Sequence, residues 1–223
     1  MKSRHIAAGL DVGTTKACAV LAEIDAEGGV AVLGIGDRPC HGLERGVVVN
    51  LEATIQAVAE AVQAAEQMAG VKVQSVMAGI AGEHVRSVNS TGVIGVSRKD
   101  NEITREDLKR VLEAARAVPV PGDREVLHVL PRDYRVDEQR GIRDPVGMSG
   151  VRLEAEVHIV TVHSTAARNL LRGISRAGIE VTSLVLEPLA AAEAVLDEDE
   201  RSLGVLLLDV GGGTTDIAVY IDG

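Results

Sequence analysis

Leu10-Asp11-Val12-Gly13-Thr14-Thr15-Lys16-Ala17-Cys18-Ala19-Val20 stands near one end of a 223-residue chain. Near the other end the phrase returns as Leu208-Asp209-Val210-Gly211-Gly212-Gly213-Thr214-Thr215-Asp216-Ile217-Ala218-Val219. Each copy is an apolar strand ending in a carboxylate, then a glycine turn with paired threonines, then a second apolar strand. Consecutive glycines tolerate positive φ and carry no side chain, so successive backbone N–H groups can turn toward one point. Threonine hydroxyls add donors there. One such loop is equally well a tight turn that needs glycine for geometry alone. Two loops with the same order of residues point to a phosphate gripped from two sides.

The remaining charges fit that chemistry. Asp11 and Asp209 end buried-type strands, where a carboxylate is costly without a partner. A hydrated Mg²⁺ between them would meet that cost, since the ion prefers oxygen ligands and retains waters. Asp216 is a lesser contributor to the same ion. Lys16 suits a phosphate oxygen. The candidate phosphate-binding set is Gly13, Thr14, Thr15, Lys16, Gly211, Gly212, Gly213, Thr214 and Thr215. The chain has neither a Gly-x-x-x-x-Gly-Lys-Ser/Thr loop nor a Gly-x-Gly-x-x-Gly turn opening a helix.

Composition excludes several classes. Hydrophobic residues make up 46%, but Tyr134 and Tyr220 are the only aromatics besides histidine, so the core is aliphatic and base-stacking surfaces are disfavoured. A net charge of −10 with no dense basic run argues against nucleic-acid binding. Cys18 and Cys40 make no disulfide framework or metal-site spacing. No stretch approaches the roughly 20 apolar residues of a membrane span. These features predict a soluble intracellular chain.

Ile6 to Val12, Ala17 to Ile24 and Val30 to Ile35 read as a three-stranded meander with the first glycine loop at one end. Leu51, Ile55, Val58, Val62 and Ala65 fall at helical spacing, so 51–69 reads as a helix stopped by Gly70, with a strand at 73–81. From about 84 to 163 charge and Gly/Pro punctuation rise. A helix is signalled there by Thr104 as N-cap, Asp107 three residues on, an Ile103/Leu108 staple and Pro119 beyond the end. Strands are expected at 85–89, 126–130 and 152–162. Ser164 is expected to cap a helix through Ala177, followed by a strand at 181–186. Pro188 opens an alanine-rich helix through Leu196, acidic residues 197–200 form a surface link, and the second hairpin follows. Asp222-Gly223 is a hairpin-turn dipeptide, which predicts a longer protein.

The two loops resemble the phosphate loops of the actin-like ATPase superfamily, as Asp11–Lys16 and Asp209–Asp216. Leu186-Glu187-Pro188-Leu189-Ala190-Ala191-Ala192 resembles its connecting helix. Within the superfamily, Ala78–His84, Val129–Asp137, Gly141–Glu154 and Val157-His158 resemble FtsA, a family of bacterial cell-division actin homologues, and the likeness covers essentially the whole chain. The resemblance implies an α/β, actin-like (ribonuclease H-like) ATPase fold. Its first half is complete with an α+β insertion, and its second is only begun. Residues 1–83 would be the first part of subdomain 1A and 84–163 a 1C-like insertion. Residues 164–203 would return to 1A and 204–223 would start 2A. It further implies a protein that binds ATP and Mg²⁺, self-associates into filaments and tethers the FtsZ ring to the inner membrane. That places it at the cytoplasmic face of the septum, with ATP turnover slow at most. Later division proteins would be recruited through residues 84–163. The FtsZ contact, the membrane-binding C-terminal helix and the adenine loop would lie beyond these 223 residues.

Two other functions share the superfamily: a small-molecule (sugar) kinase with Asp137 as base beside Arg140, and a type IV pilus assembly protein. Asp137-Glu138-Gln139-Arg140 also reads as a solvated loop before Gly141, and the 104–117 helix as a solvated, charge-paired face. His158 and His163 lack an acidic cluster to complete a metal site.

Overall fold

A computed structural model describes residues 5–97 and 100–222. The chain separates into two compact units, one of Met1–His84 with Ser164–Gly223 and one of Val85–His163.

The first unit opens with β1 (His5–Val12), β2 (Lys16–Ile24) and β3 (Val30–Pro39), an antiparallel meander. A small hairpin, β4 (Leu43–Glu44) and β5 (Val47–Val48), follows without having been anticipated from sequence. Helix α1 (Leu51–Ala69) matches its predicted bounds because both ends are written locally. The Asn50 side chain accepts from the Ala53 N–H, and Gly70 takes the left-handed φ of 70° that L side chains avoid. Thr54, Ala57, Val58, Ala61, Val62 and Ala65 form its buried stripe. The helix lies so close to β3 that a Cβ at Gly34 or Gly36 would meet the backbone of Ala65 or Ala61. β6 (Ser75–Ile80) then pairs parallel to β1.

The second unit contains β7 (Val85–Gly95), α2 (Arg105–Arg116), β8 (Arg124–Val136), β9 (Gln139–Ile142) and β10 (Arg152–His163). Its sheet runs β7-β10-β8-β9. Thr104 and Asp107 form the expected capping box, and Ile103 and Leu108 join one apolar cluster with Val111, Tyr134, Leu153 and Ile159. β8 is longer than the predicted strand because it runs through Pro131, where a register shift against β10 accommodates the missing N–H. The segment taken for a solvated loop is a turn at Asp137–Glu138 followed by β9.

Back in the first unit, α3 (Ser164–Arg176) starts at Ser164 itself, because β10 runs into the helix without a turn in which a cap could sit. β11 (Glu180–Leu186) pairs parallel to β6 and completes a five-stranded sheet ordered β11-β6-β1-β2-β3. α4 (Glu187–Val195) has Pro188 in its first turn. The acidic link is instead a short helix, α5 (Glu198–Leu203), with Asp197 and Glu200 forming a capping box. β12 (Val205–Val210) and β13 (Thr215–Tyr220) make a separate antiparallel pair. The predicted terminal turn at Asp222-Gly223 falls partly outside the described residues.

Candidate functional site

The two repeated phrases fold as the same hairpin in the same register. Asp11 pairs with Cys18 and Val12 with Ala17; Asp209 pairs with Asp216 and Val210 with Thr215. The Gly13 N–H donates to the Lys16 carbonyl at 2.8 Å, and the Gly211 N–H to the Thr214 carbonyl at 2.9 Å. Aligned without a gap, Thr14-Thr15 match Gly212-Gly213, and Lys16-Ala17 match Thr214-Thr215. The threonine pairs are therefore not equivalent. In the first loop they form the tip; in the second they lie two residues later.

The tips meet within the first unit. A Cβ on Gly212 would strike the Thr15 side chain, and one on Gly213 would lie 2.7 Å from Thr14 Oγ1 and 3.3 Å from the Arg45 nitrogen. Glycine here permits close approach of two loops. Between and beside the tips lies a cleft of about 290 Å³ lined by Asp11, Gly13, Thr14, Thr15, Lys16, Asp209, Gly211, Gly212, Gly213, Thr214 and Asp216. Eleven of the twelve predicted site residues are thus brought together. Thr215 is not: it stands exposed in β13, one residue out of phase with Thr214 and Asp216.

A fourth carboxylate joins them. Glu187, the first residue of α4, lines the cleft and crowds Gly79, whose added Cβ would lie 2.8 Å from Glu187 Cγ. Burial, with the charges of Asp11, Asp209 and Asp216, pushes its carboxyl up to about 8. Burial also raises Asp11; Lys16 opposes this, while Asp209 and Asp37 reinforce it. Asp11 remains open to the water of the cleft but has protein on its other sides. Lys16 Nζ lies 4.0 Å from Asp37, both well exposed, and Thr214 Oγ1 donates to Asp216 at 3.2 Å. Sequence reasoning missed Glu187 because an acid in a first helical turn already has a bland role beside the helix dipole. Its signal was the placement of Glu187-Pro188 directly after a strand.

The cleft thus gathers four carboxylates and one lysine, an arrangement whose repulsion a cation would relieve. Among the described residues, no three His, Cys, Asp or Glu side chains converge closely enough to hold a metal directly. The donors fit an ion that reaches them through its own waters. Asp137 belongs to the second unit, where its Oδ1 accepts from the Val151 and Arg152 N–H groups at 3.1 and 2.9 Å. That carboxylate shapes a turn at positive φ.

A family model described as "SHS2 domain inserted in FTSA" matches residues 82–161, nearly the span of the second unit. The chain is 49% identical over its whole length to cell division protein FtsA of Pseudomonas aeruginosa, covering 53% of that protein. It is 47% identical over 96% of its length to cell division protein FtsA of Neisseria meningitidis, covering 51% of it. Among solved structures, it matches a chain of a PilM-PilN type IV pilus biogenesis complex with a TM-score of 0.65 at 19% identity. That match covers 96% of this chain and 57% of the other, and the likeness is one of fold: the architecture is actin-like. The chain spans about half the length of the curated relatives it matches. On the insertion and on identity along its entire length, the chain belongs to the FtsA family.

Proposed function

We propose that the two hairpins grip the phosphates of ATP with a hydrated Mg²⁺, and that the protein acts in bacterial cell division as an actin-like tether. The interlocked glycine tips over a carboxylate-rich cleft carry the nucleotide part. Backbone N–H groups of residues 14–16 and 212–214, with the Thr14, Thr15 and Thr214 hydroxyls, would face phosphate oxygens. Lys16 would supply the opposing charge. Asp11 and Asp209, with Asp216 and Glu187 behind them, would hold waters of the ion. Bound Mg²⁺ supplies neutralisation of phosphate charge, and the residues orient both. Turnover would be slow at most, as the family resemblance implies.

The cell-division part rests on the named relatives, each about twice as long. In this reading residues 1–83 and 164–203 form subdomain 1A, 84–163 the 1C-type insertion and 204–223 the opening of 2A. The full-length protein would assemble into filaments, bind FtsZ and anchor the ring at the cytoplasmic face of the inner membrane. The insertion would recruit later division proteins. No helix among the described residues is long and apolar enough to cross a membrane.

Titration of fluorescent ATP with and without Mg²⁺ tests the cleft. In the full-length protein, Asp11→Ala and Asp209→Ala should each weaken Mg²⁺-dependent binding by at least roughly tenfold, about 1.4 kcal/mol. Unchanged binding in both variants would remove the metal-facing assignment.

A further inference from the structure

We infer that Arg201 is a positioning residue for the cleft: it clasps the second hairpin to α4 and so sets the second glycine tip against the first. The inference rests on the nucleotide reading above and adds to it a residue remote from the ligand. The β12–β13 pair stands apart from the five-stranded sheet, so no strand pairing with that sheet fixes its place. Its tip meets Thr14 and Thr15, and its half-covered face, with Asp216, Ala218 and Tyr220, lies against α4.

The two ends of α4 act on that face in opposite senses. At the first residue of the helix, Glu187 meets Asp209 and Asp216, and with Asp11 these acids repel until a cation arrives. At the other end attraction takes over. Arg201 Nη1 donates to Glu193 Oε1 at 2.8 Å, and Nη2 donates to the Ala192 carbonyl at 2.9 Å. Its Cζ stands 5.6 Å from the centroid of the Tyr220 ring. The side chain is only 23% exposed, and its Nε is buried with no hydrogen-bond partner. A cationic side chain gives up water in this way against compensating contacts.

Local sequence delivers the guanidinium to this place. The Asp197–Glu200 capping box fixes α5, and the Arg201 N–H donates to the Asp197 carbonyl at 3.2 Å. Gly204, at φ 101°, then turns the chain into β12. Lysine would not reproduce the contact, because one ammonium cannot span two acceptors on α4 while presenting a flat face to a ring. Tyr220 lies about 13 Å along β13 from Asp216, so Arg201 acts through the strand and touches no phosphate. With the clasp open, the acids push the hairpin off α4 in the empty protein. Only the fraction of molecules with aligned tips then accepts nucleotide.

In the full-length protein, fluorescent-ATP titration with Mg²⁺ should show Arg201→Ala and Tyr220→Ala each binding roughly fivefold or more weakly. Tyr220→Phe keeps the ring and should stay within about twofold, whereas Arg201→Lys should recover little. The two alanine variants combined should lose no more than the worse one alone, since both break one contact. Hydrogen exchange without nucleotide supplies a readout independent of ATP. Arg201→Ala should speed exchange over 205–220 and leave 5–24, the matched hairpin, at the parent rate. Unchanged exchange over 205–220, faster exchange in both hairpins, full affinity in Arg201→Ala, or additive losses would each overturn the clasp. A parent protein that fails to bind Mg-ATP overturns the nucleotide reading instead, and exchange then decides whether Arg201 holds the hairpin.

Discussion

The β1–β2 and β12–β13 hairpins share a phrase, a register and a turn, yet their apolar faces meet opposite fates. Leu10, Val12, Ala17, Ala19 and Leu21 are buried, the last three completely, beneath α1 and between β6 and β3. Their counterparts Leu208, Val210, Thr215, Ile217 and Val219 are exposed, Val210 to 75%. α4 touches the hairpin, and the face with Asp209, Asp216 and Tyr220 is the half-covered one. Local chemistry is enough to make the loop: a carboxylate, glycines at the turn and flanking aliphatics. Burial is supplied by what surrounds it. The same residues are structural in one copy and, in this chain, confined to the loop in the other.

The sharpest way to break that contrast is to truncate one side chain in each copy. Leu21→Ala removes a fully buried side chain beneath α1 and should cost about 2–5 kcal/mol in urea denaturation. Val219→Ala, at the matching position with 64% exposure, should fall within about 0.5 kcal/mol. Equal costs would mean that the second hairpin is packed as tightly as the first, contrary to its exposure.

A second pair of variants probes the tips, where the copies touch. Gly212→Val places branched carbons where Thr15 already sits, so the loops must part. Mg²⁺-dependent ATP binding should drop by roughly tenfold or more, about 1.4 kcal/mol, with the thermal midpoint little moved. Gly9→Ala enters open space in β1 and serves as the matched control, with binding retained. Loss of affinity in the control as well would show that any change to a hairpin glycine perturbs the site.

Much of this was legible because the signals are short-range. Asn50 and Gly70 mark α1, Thr104 with Asp107 marks α2, and the two Asp-Val-Gly turns place their own hairpins. The gathering of eleven cleft residues followed from the repeat alone. What escaped depends on partners remote in sequence. Pro131 looked like the end of a strand because its bulge exists only against β10. β9 was hidden since its pairing with β8 follows a turn held by Asp137 reaching Val151 and Arg152. Glu187 became a site residue only when α4 brought it against Asp11, Asp209 and Asp216. The capping box of α5 was a plain misreading of a local signal, Asp197 three residues before Glu200.

Glu187 sharpens the comparison by charge, because it answers to both hairpins at once. Its carboxyl, raised from an ordinary 4.5 to about 8, keeps its proton in the folded chain where the unfolded chain has lost it. The folded state therefore binds more protons between those values, and stability falls as pH rises from about 4.5 to 8. Glu187→Gln should flatten that slope and raise stability near pH 8 by on the order of 1–2 kcal/mol, allowing for water in the cleft. Thermal melts across pH, with and without Mg²⁺, check both points, since the ion should also restore stability to the parent chain at high pH. A parent chain whose melting point climbs over this window would contradict the assignment of one shared acidic cluster.

The smallest expected effect is also the cleanest discriminator of register. Sequence alone makes Thr14-Thr15 and Thr214-Thr215 look interchangeable, whereas strand pairing puts Thr215 opposite Val210, where the first hairpin has Ala17 opposite Val12. Since Ala17 already occupies that place, Thr215→Ala converts the second hairpin toward the first and should alter Mg-ATP affinity less than about twofold, under 0.5 kcal/mol. Thr14→Ala removes a hydroxyl at the tip, against Gly213, and should cost roughly fivefold. If Thr215→Ala cost as much as Thr14→Ala, the strand would have to present that hydroxyl to the cleft. A one-residue slip of β13 does this, but it also turns Asp216 away from the cleft. The two positions cannot both face the ligand from one strand, so a measurable loss at Thr215 would require Asp216→Ala to be silent.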